Sequence, residues 1–265
     1  VTTPPNPIEA FLTTLERLPA DAPTACEGWT AHEVAAHLAA GIEEVAELIE
    51  DTVNEAPPRT TRGFEEREAP YREMDDADVR QALVKIVERA NTALGAQAAK
   101  GVAVPFFERH WSAEEMQVHA ANEFAMHRWD LIGDDELTDE LLSPLHATES
   151  AIKTLNTLKV LEEAPTPRAG RAGLTDTRVV LRCPDQPDIA LDVTPTGVAA
   201  LELSTGEPFD GDVLVETDTA NRLLTLWGRR SSTRTITITG DPALLPTVTT
   251  ALWQNTPAWS PQRPA

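Results

Sequence analysis

Apolar residues recur every three to four positions through most of the first 160 residues, and every second position in much of the remaining chain. The first rhythm buries one face of a helix and the second one face of a strand, so the chain is expected to open as helices and close as a sheet. Ile8, Phe11, Leu12, Leu15 and Leu18 share a helical face, with Asn6 as N-cap, Pro7 in the first turn and Pro19 as the stop. Thr30-Ala31-His32-Glu33 has the spacing of a capping box. The helix it starts turns Val34, Leu38, Ile42, Val45, Leu48 and Ile49 to one side. His37 borders that face, and Gly41, one turn later, reads as a gap left for whatever His37 touches. Residues 55–75 are charged and proline-bearing, longer than an ordinary connection, and are expected as a loop. A third helix is expected from about Asp76 to Gly101. A fourth runs from the Ser112-Ala113-Glu114-Glu115 cap to Gly133.

A fifth helix is expected over Asp139 to Glu163, interrupted early by Pro144, and the proline- and glycine-rich stretch 164–173 is expected as a linker. Beyond it Ile189, Leu191 and Val193 alternate with smaller or polar residues, and Ile236 and Ile238 alternate with threonines. Gly197 to Ser204 reads as a further strand, Thr219 to Trp227 as a helix, and Gly240-Asp241-Pro242 as the cap of a closing helix. The expected fold class is multidomain α and α+β: a helical bundle over 1–163 and a small α+β domain over 174–265.

Within the fourth helix, Glu123 and His127 fall on nearly the same line as Met116, Ala120, Phe124 and Leu131. An acid and an imidazole one turn apart, about 6 Å along the axis, are thereby turned inward, and a carboxylate taken out of water needs compensation. A shared cation supplies it; so does a hydrogen-bonded pair packed on a neighbouring helix. One helix line cannot complete a metal site, so a third ligand must come from elsewhere. His37 is the better placed candidate, and His119 qualifies only with Glu123 as the middle ligand. Two imidazoles and one carboxylate suit catalytic Zn²⁺ and also non-haem Fe(II). Asp130, within a turn of His127, is placed either to orient its ring or to sit at the surface.

Composition narrows the partners. Acidic residues outnumber basic ones by 43 to 22, giving a formal net charge of −21. Such a field opposes nucleic acid and anionic membranes, and an anionic substrate would need local arginines. No stretch approaches the roughly 20 apolar residues of a membrane span. The start lacks a basic segment followed by an apolar run, and Cys26 and Cys183 lie in different halves without forming a disulfide framework. A cytoplasmic location is therefore expected.

The turn Cys26-Glu27-Gly28-Trp29-Thr30 leading into Val34-Ala35-Ala36-His37-Leu38, together with Glu123-Phe124-Ala125-Met126-His127-Arg128-Trp129-Asp130-Leu131, resembles the mycothiol-dependent maleylpyruvate isomerase family. Leu223 to Arg229 and Ile236 to Asp241 resemble that family's C-terminal domain. The resemblance implies a DinB-like four-helix bundle followed by a sterol-carrier-like α+β domain. It implies a divalent metal, most often zinc, on His37, Glu123 and His127, and a low-molecular-weight thiol, mycothiol, as cosubstrate. It also implies an arginine of the C-terminal domain for a carboxylate substrate, with Arg229 the first choice and Arg222 the second. Isomerisation or S-transfer on a small electrophile is the expected chemistry. The partners are a small molecule and a thiol, and the protein is expected as a monomer or small homo-oligomer. A non-catalytic metal- or small-ligand-binding protein of the same fold is the alternative, and an iron oxygenase a third.

Overall fold

The computed structural model describes residues 5–26, 28–106, 109–158, 176–194, 197–206, 208–245 and 248. Two compact units result, one built from Asn6–Thr24 and Gly28–Ile132, the other from Gly133 onward together with Pro5, Ala25 and Cys26. The expected boundary at 163 and the expected linker at 164–173 lie outside the described residues.

The first unit contains α1 (Pro7–Glu16), α2 (Ala31–Val53), α3 (Phe64–Arg72), α4 (Asp76–Lys100), a short hairpin of β1 (Val104–Phe106) and β2 (Arg109–Trp111), and α5 (Ala113–Ile132). Helix ends reflect local chemistry. The Ile8 N–H donates to the Asn6 side chain at 2.9 Å, and the Thr30 N–H donates to Glu33 at 2.7 Å. Ser112 and Glu115 exchange bonds in a capping box, with the Ser112 N–H on Glu115 Oε2 at 2.8 Å and the Glu115 N–H on Ser112 Oγ at 3.2 Å. Gly101 ends α4 in the left-handed conformation, φ 64°.

The four long helices pack as a bundle, α2 against α4, α1 against α5, and α5 also against α2 and α4. Every residue of α5 from Phe124 to Leu131 is buried, so this helix forms the unit's centre, and the Phe11 ring of α1 meets Phe124 edge-on at 5.4 Å. At the other end Val45, Leu48, Ile49, Ala93, Val104, Phe106, Trp111 and Met116 form one cluster. Each large side chain buried there contributes about 1.5–3 kcal/mol relative to exposure. The hairpin that closes this cluster was not expected; its three-residue strands are too short to show a period.

Residues 55–75 are not a plain loop. Glu44 of α2, with a fully buried side chain, accepts from Arg59 Nη1 at 2.7 Å, from the Arg62 N–H at 2.9 Å and from Arg62 Nε at 2.6 Å. This strap ties the connection to α2 and delivers the chain into α3. At Gly41 a Cβ would meet nothing within 4 Å, so the position has room for at least a methyl group.

The second unit holds α6 (Glu136–Leu142), α7 (Leu145–Leu158), β3 (Thr177–Arg182), β4 (Ile189–Thr194), β5 (Gly197–Glu202), β6 (Val213–Glu216), α8 (Thr219–Leu226) and β7 (Thr237–Gly240). Its sheet runs β5-β4-β3-β6-β7, antiparallel except for the parallel pair β3 and β6. Helix α7 packs on β5, and α8 on α6 and α7, so α6 and α7, expected to close the bundle, group with the sheet. Arg234 ties this unit's elements together through Asp134 at 2.8 Å, Asp218 at 3.0 Å and Asp139. The expected closing helix after Gly240 lies largely outside the described residues; Gly240 itself ends β7. The described chain is thus multidomain α and α+β, and none of its helices is long and apolar enough to cross a membrane.

Candidate metal centre

The α2 and α5 helices bring His37, Glu123 and His127 together, so that one ligand atom from each lies within 4.8 Å of the others. The i,i+4 spacing on α5 puts His127 Nε2 at 3.7 Å from Glu123 Oε2. The His37 and His127 rings meet at 5.0 Å between centroids. His127 is fully buried and the Glu123 side chain is 20% exposed, so the carboxylate closes the cluster on its open side.

Each imidazole has a carboxylate on its far nitrogen. His37 Nδ1 donates to Glu68 Oε1 of α3 at 2.7 Å, and His127 Nδ1 lies 2.9 Å from Asp130 Oδ2, with both side chains buried. With His37 Nδ1 so engaged, Nε2 is the nitrogen that His37 has left to bind a cation; the His127–Asp130 contact is close but lacks hydrogen-bond geometry. Carboxylate–imidazole pairs of this kind fix the tautomer and raise ligand basicity. Burial would push the Glu68 carboxyl up, but the hydrogen bond from His37 and the charges of Arg72 and Arg67 outweigh it and hold it below the usual glutamate range. Arg72 Nη2 donates to the second Glu68 oxygen at 2.5 Å. Trp29 and Phe64 flank His37, at 5.1 Å and 6.1 Å between ring centroids. The donor set therefore fits a divalent ion: two imidazoles and one carboxylate converge, Glu68 orients the His37 ring, and the buried Asp130 carboxylate lies beside the His127 ring.

His119 takes a different place. It is packed against Phe106 and Trp111, and burial pushes its imidazole below the ordinary histidine range, so that it stays neutral. Asp130 is a buried partner rather than a surface acid. In the second unit, Arg222 is fully buried and donates to Pro187 O at 2.6 Å, to Thr148 Oγ1 at 3.3 Å and to Gln186 Oε1; these bonds join α8 to α7 and to the turn before β4. Arg229 is 3% exposed, with Nη1 on Trp227 O at 3.1 Å. Sequence reasoning missed Glu68 and its neighbour Arg67, both of α3. The signal available was the Glu-Arg-Glu run 66–68 ahead of Pro70, which reads as surface charge until the strap turns it inward.

Residues 7–132 match the family model described as the mycothiol maleylpyruvate isomerase N-terminal domain, and residues 158–247 match the MDMPI C-terminal domain. The chain belongs to the mycothiol-dependent maleylpyruvate isomerase family. A solved mycothiol-dependent maleylpyruvate isomerase shares the fold at a TM-score of 0.58 and 17% identity, over 87% of this chain and 88% of the other. A histidine-to-alanine mutant of the isomerase matches at a TM-score of 0.59 and 16% identity, with the same coverage. No curated protein matches the chain.

Proposed function

We infer that this member of the family is a divalent-metal-dependent enzyme, with zinc the expected ion, that uses a low-molecular-weight thiol of the mycothiol type to isomerise, or transfer sulfur to, a small electrophile. The convergence of His37, Glu123 and His127 within 4.8 Å carries this reading, and family membership supplies the thiol. A divalent ion on these residues supplies positive charge that favours loss of a thiol proton at neutral pH.

The chain's own residues set up that chemistry. Glu68 holds the His37 imidazole in the tautomer that leaves Nε2 unprotonated, Asp130 lies 2.9 Å from His127 Nδ1, and Glu123 contributes the single negative charge of the ligand set. Trp29 and Phe64 cover His37 and restrict water around it. In an isomerisation, a thiolate sulfur adds to one alkene carbon while the π pair moves onto the carbonyl-conjugated carbon system. Rotation about the resulting single bond comes next, the pair returns, and the carbon–sulfur bond breaks. The thiolate is regenerated and no oxidant or net proton is consumed. In S-transfer the same thiolate displaces a leaving group, which departs with the electron pair.

Turnover of maleylpyruvate by purified protein, with and without mycothiol, is the test. Thiol-dependent conversion that disappears in His127→Ala is expected. Conversion at equal rates without thiol, or no conversion of this or any related conjugated electrophile by the zinc-loaded protein, contradicts the proposal.

A further inference from the structure

Arg67 is a local cation of the kind expected from the C-terminal half of the chain, and it belongs to the bundle. It lies on α3 one residue before Glu68, and its guanidinium sits 4.4 Å over the centroid of the Phe64 ring, which in turn stacks on His37 at an interplanar angle of 17°. It is 7% exposed. Its Nε is sealed from solvent without a hydrogen-bond partner, and among the described residues its guanidinium forms neither a hydrogen bond nor an ion pair. The neighbouring arginines are all engaged: Arg59 and Arg62 on Glu44, Arg72 on Glu68.

A guanidinium remains charged at neutral pH, and a buried charge that serves only structure is normally paired. Burial pushes Arg67 down from its ordinary range, while the more distant charges of Glu68, Glu44 and Glu123 pull it back only in part. The Phe64 ring lies against the guanidinium carbon, and the N–H groups make no hydrogen bond among the described residues, as two parallel donors to a carboxylate require. In a protein of net charge −21, a local cation of this kind is also what an anionic substrate needs.

We propose that Arg67 is the anion-binding residue of this site, holding a carboxylate of the electrophile one aromatic ring away from His37. Identifying that carboxylate with the electrophile rests on the thiol-chemistry reading above; the anion subsite itself does not.

Calorimetric titration of the zinc-loaded protein with maleate, and in parallel with its uncharged dimethyl ester, tests the subsite directly. Maleate should bind wild type and weaken about tenfold or more in Arg67→Gln. In Arg67→Lys, which keeps the charge and loses the fork, it should weaken by less. Affinity for the ester should be the same in all three. The thermal midpoint of unliganded Arg67→Gln should equal or exceed that of wild type, because an unpaired buried charge has been removed. Equal maleate affinity in wild type and Arg67→Gln, no maleate binding to wild type, or failure of Arg67→Gln to fold would each overturn the subsite, the last by showing a structural cation. Zinc content measured on the same samples separates this outcome from failure of the metal centre.

Discussion

His37 and Glu68 are 31 positions apart in the chain and 2.7 Å apart in space, the imidazole Nδ1–H donating to a carboxylate oxygen that is itself buried. This contact links α3 to the metal candidate, and it gives the charged segment between α2 and α4 a reason to fold inward. Glu68→Ala should leave the bundle folded and weaken zinc about 10–100-fold. Competition against a chromogenic chelator measures this, and unchanged affinity would mean that Glu68 orients nothing.

Acid sensitivity should concentrate in the strap around Glu44. Burial raises the pKa of this carboxyl, but the Arg62 N–H and the Arg59 and Arg62 guanidiniums outweigh burial and hold it below the ordinary glutamate range. A depressed folded-state pKa contributes stability that is fully present above the unfolded glutamate value and is lost as pH falls through the folded one. Glu44→Gln should cost about 1–3 kcal/mol at neutral pH and flatten the acid limb of the stability curve. Urea midpoints taken from neutral to acid pH in both proteins check the sign; parallel curves would contradict it.

In the second unit, the end of β7 admits only glycine. Gly240 has φ +98°, and a Cβ there would collide with the Asp212 carbonyl oxygen, in the strand pair where Gly240 faces Val213. Gly240→Ala should destabilise the protein by about 1–3 kcal/mol, seen as a lower thermal midpoint. Zinc affinity, set in the other unit, should not change.

The sequence made some of this architecture plain and hid the rest for physical reasons. Capped helices with long apolar stripes, α2, α4 and α5, could be read to within a few residues, and the Glu123–His127 pair was visible because helical spacing alone brings it together. No bounds could be read for strands β3 and β6. They form the sheet's central parallel pair, buried on both faces, so Val179-Val180-Leu181 and Val213-Leu214-Val215 show no alternation. Arg67 and Glu68 were hidden differently: a short helix with Pro70 inside it and two glutamates in its first turn looks solvated until Glu44 captures Arg59 and Arg62. Helices α6 and α7 carry ordinary amphipathic patterns, and nothing in such a pattern says which unit their apolar faces will join.

The most direct test of the centre is elemental analysis of protein purified without chelator, comparing wild type with His37→Ala, Glu123→Ala and His127→Ala. The site requires about one zinc per chain in wild type and loss of most of it in each variant, with helical content retained. Metal content unchanged in the two histidine variants would contradict the centre, and with it the thiol chemistry assigned to this chain.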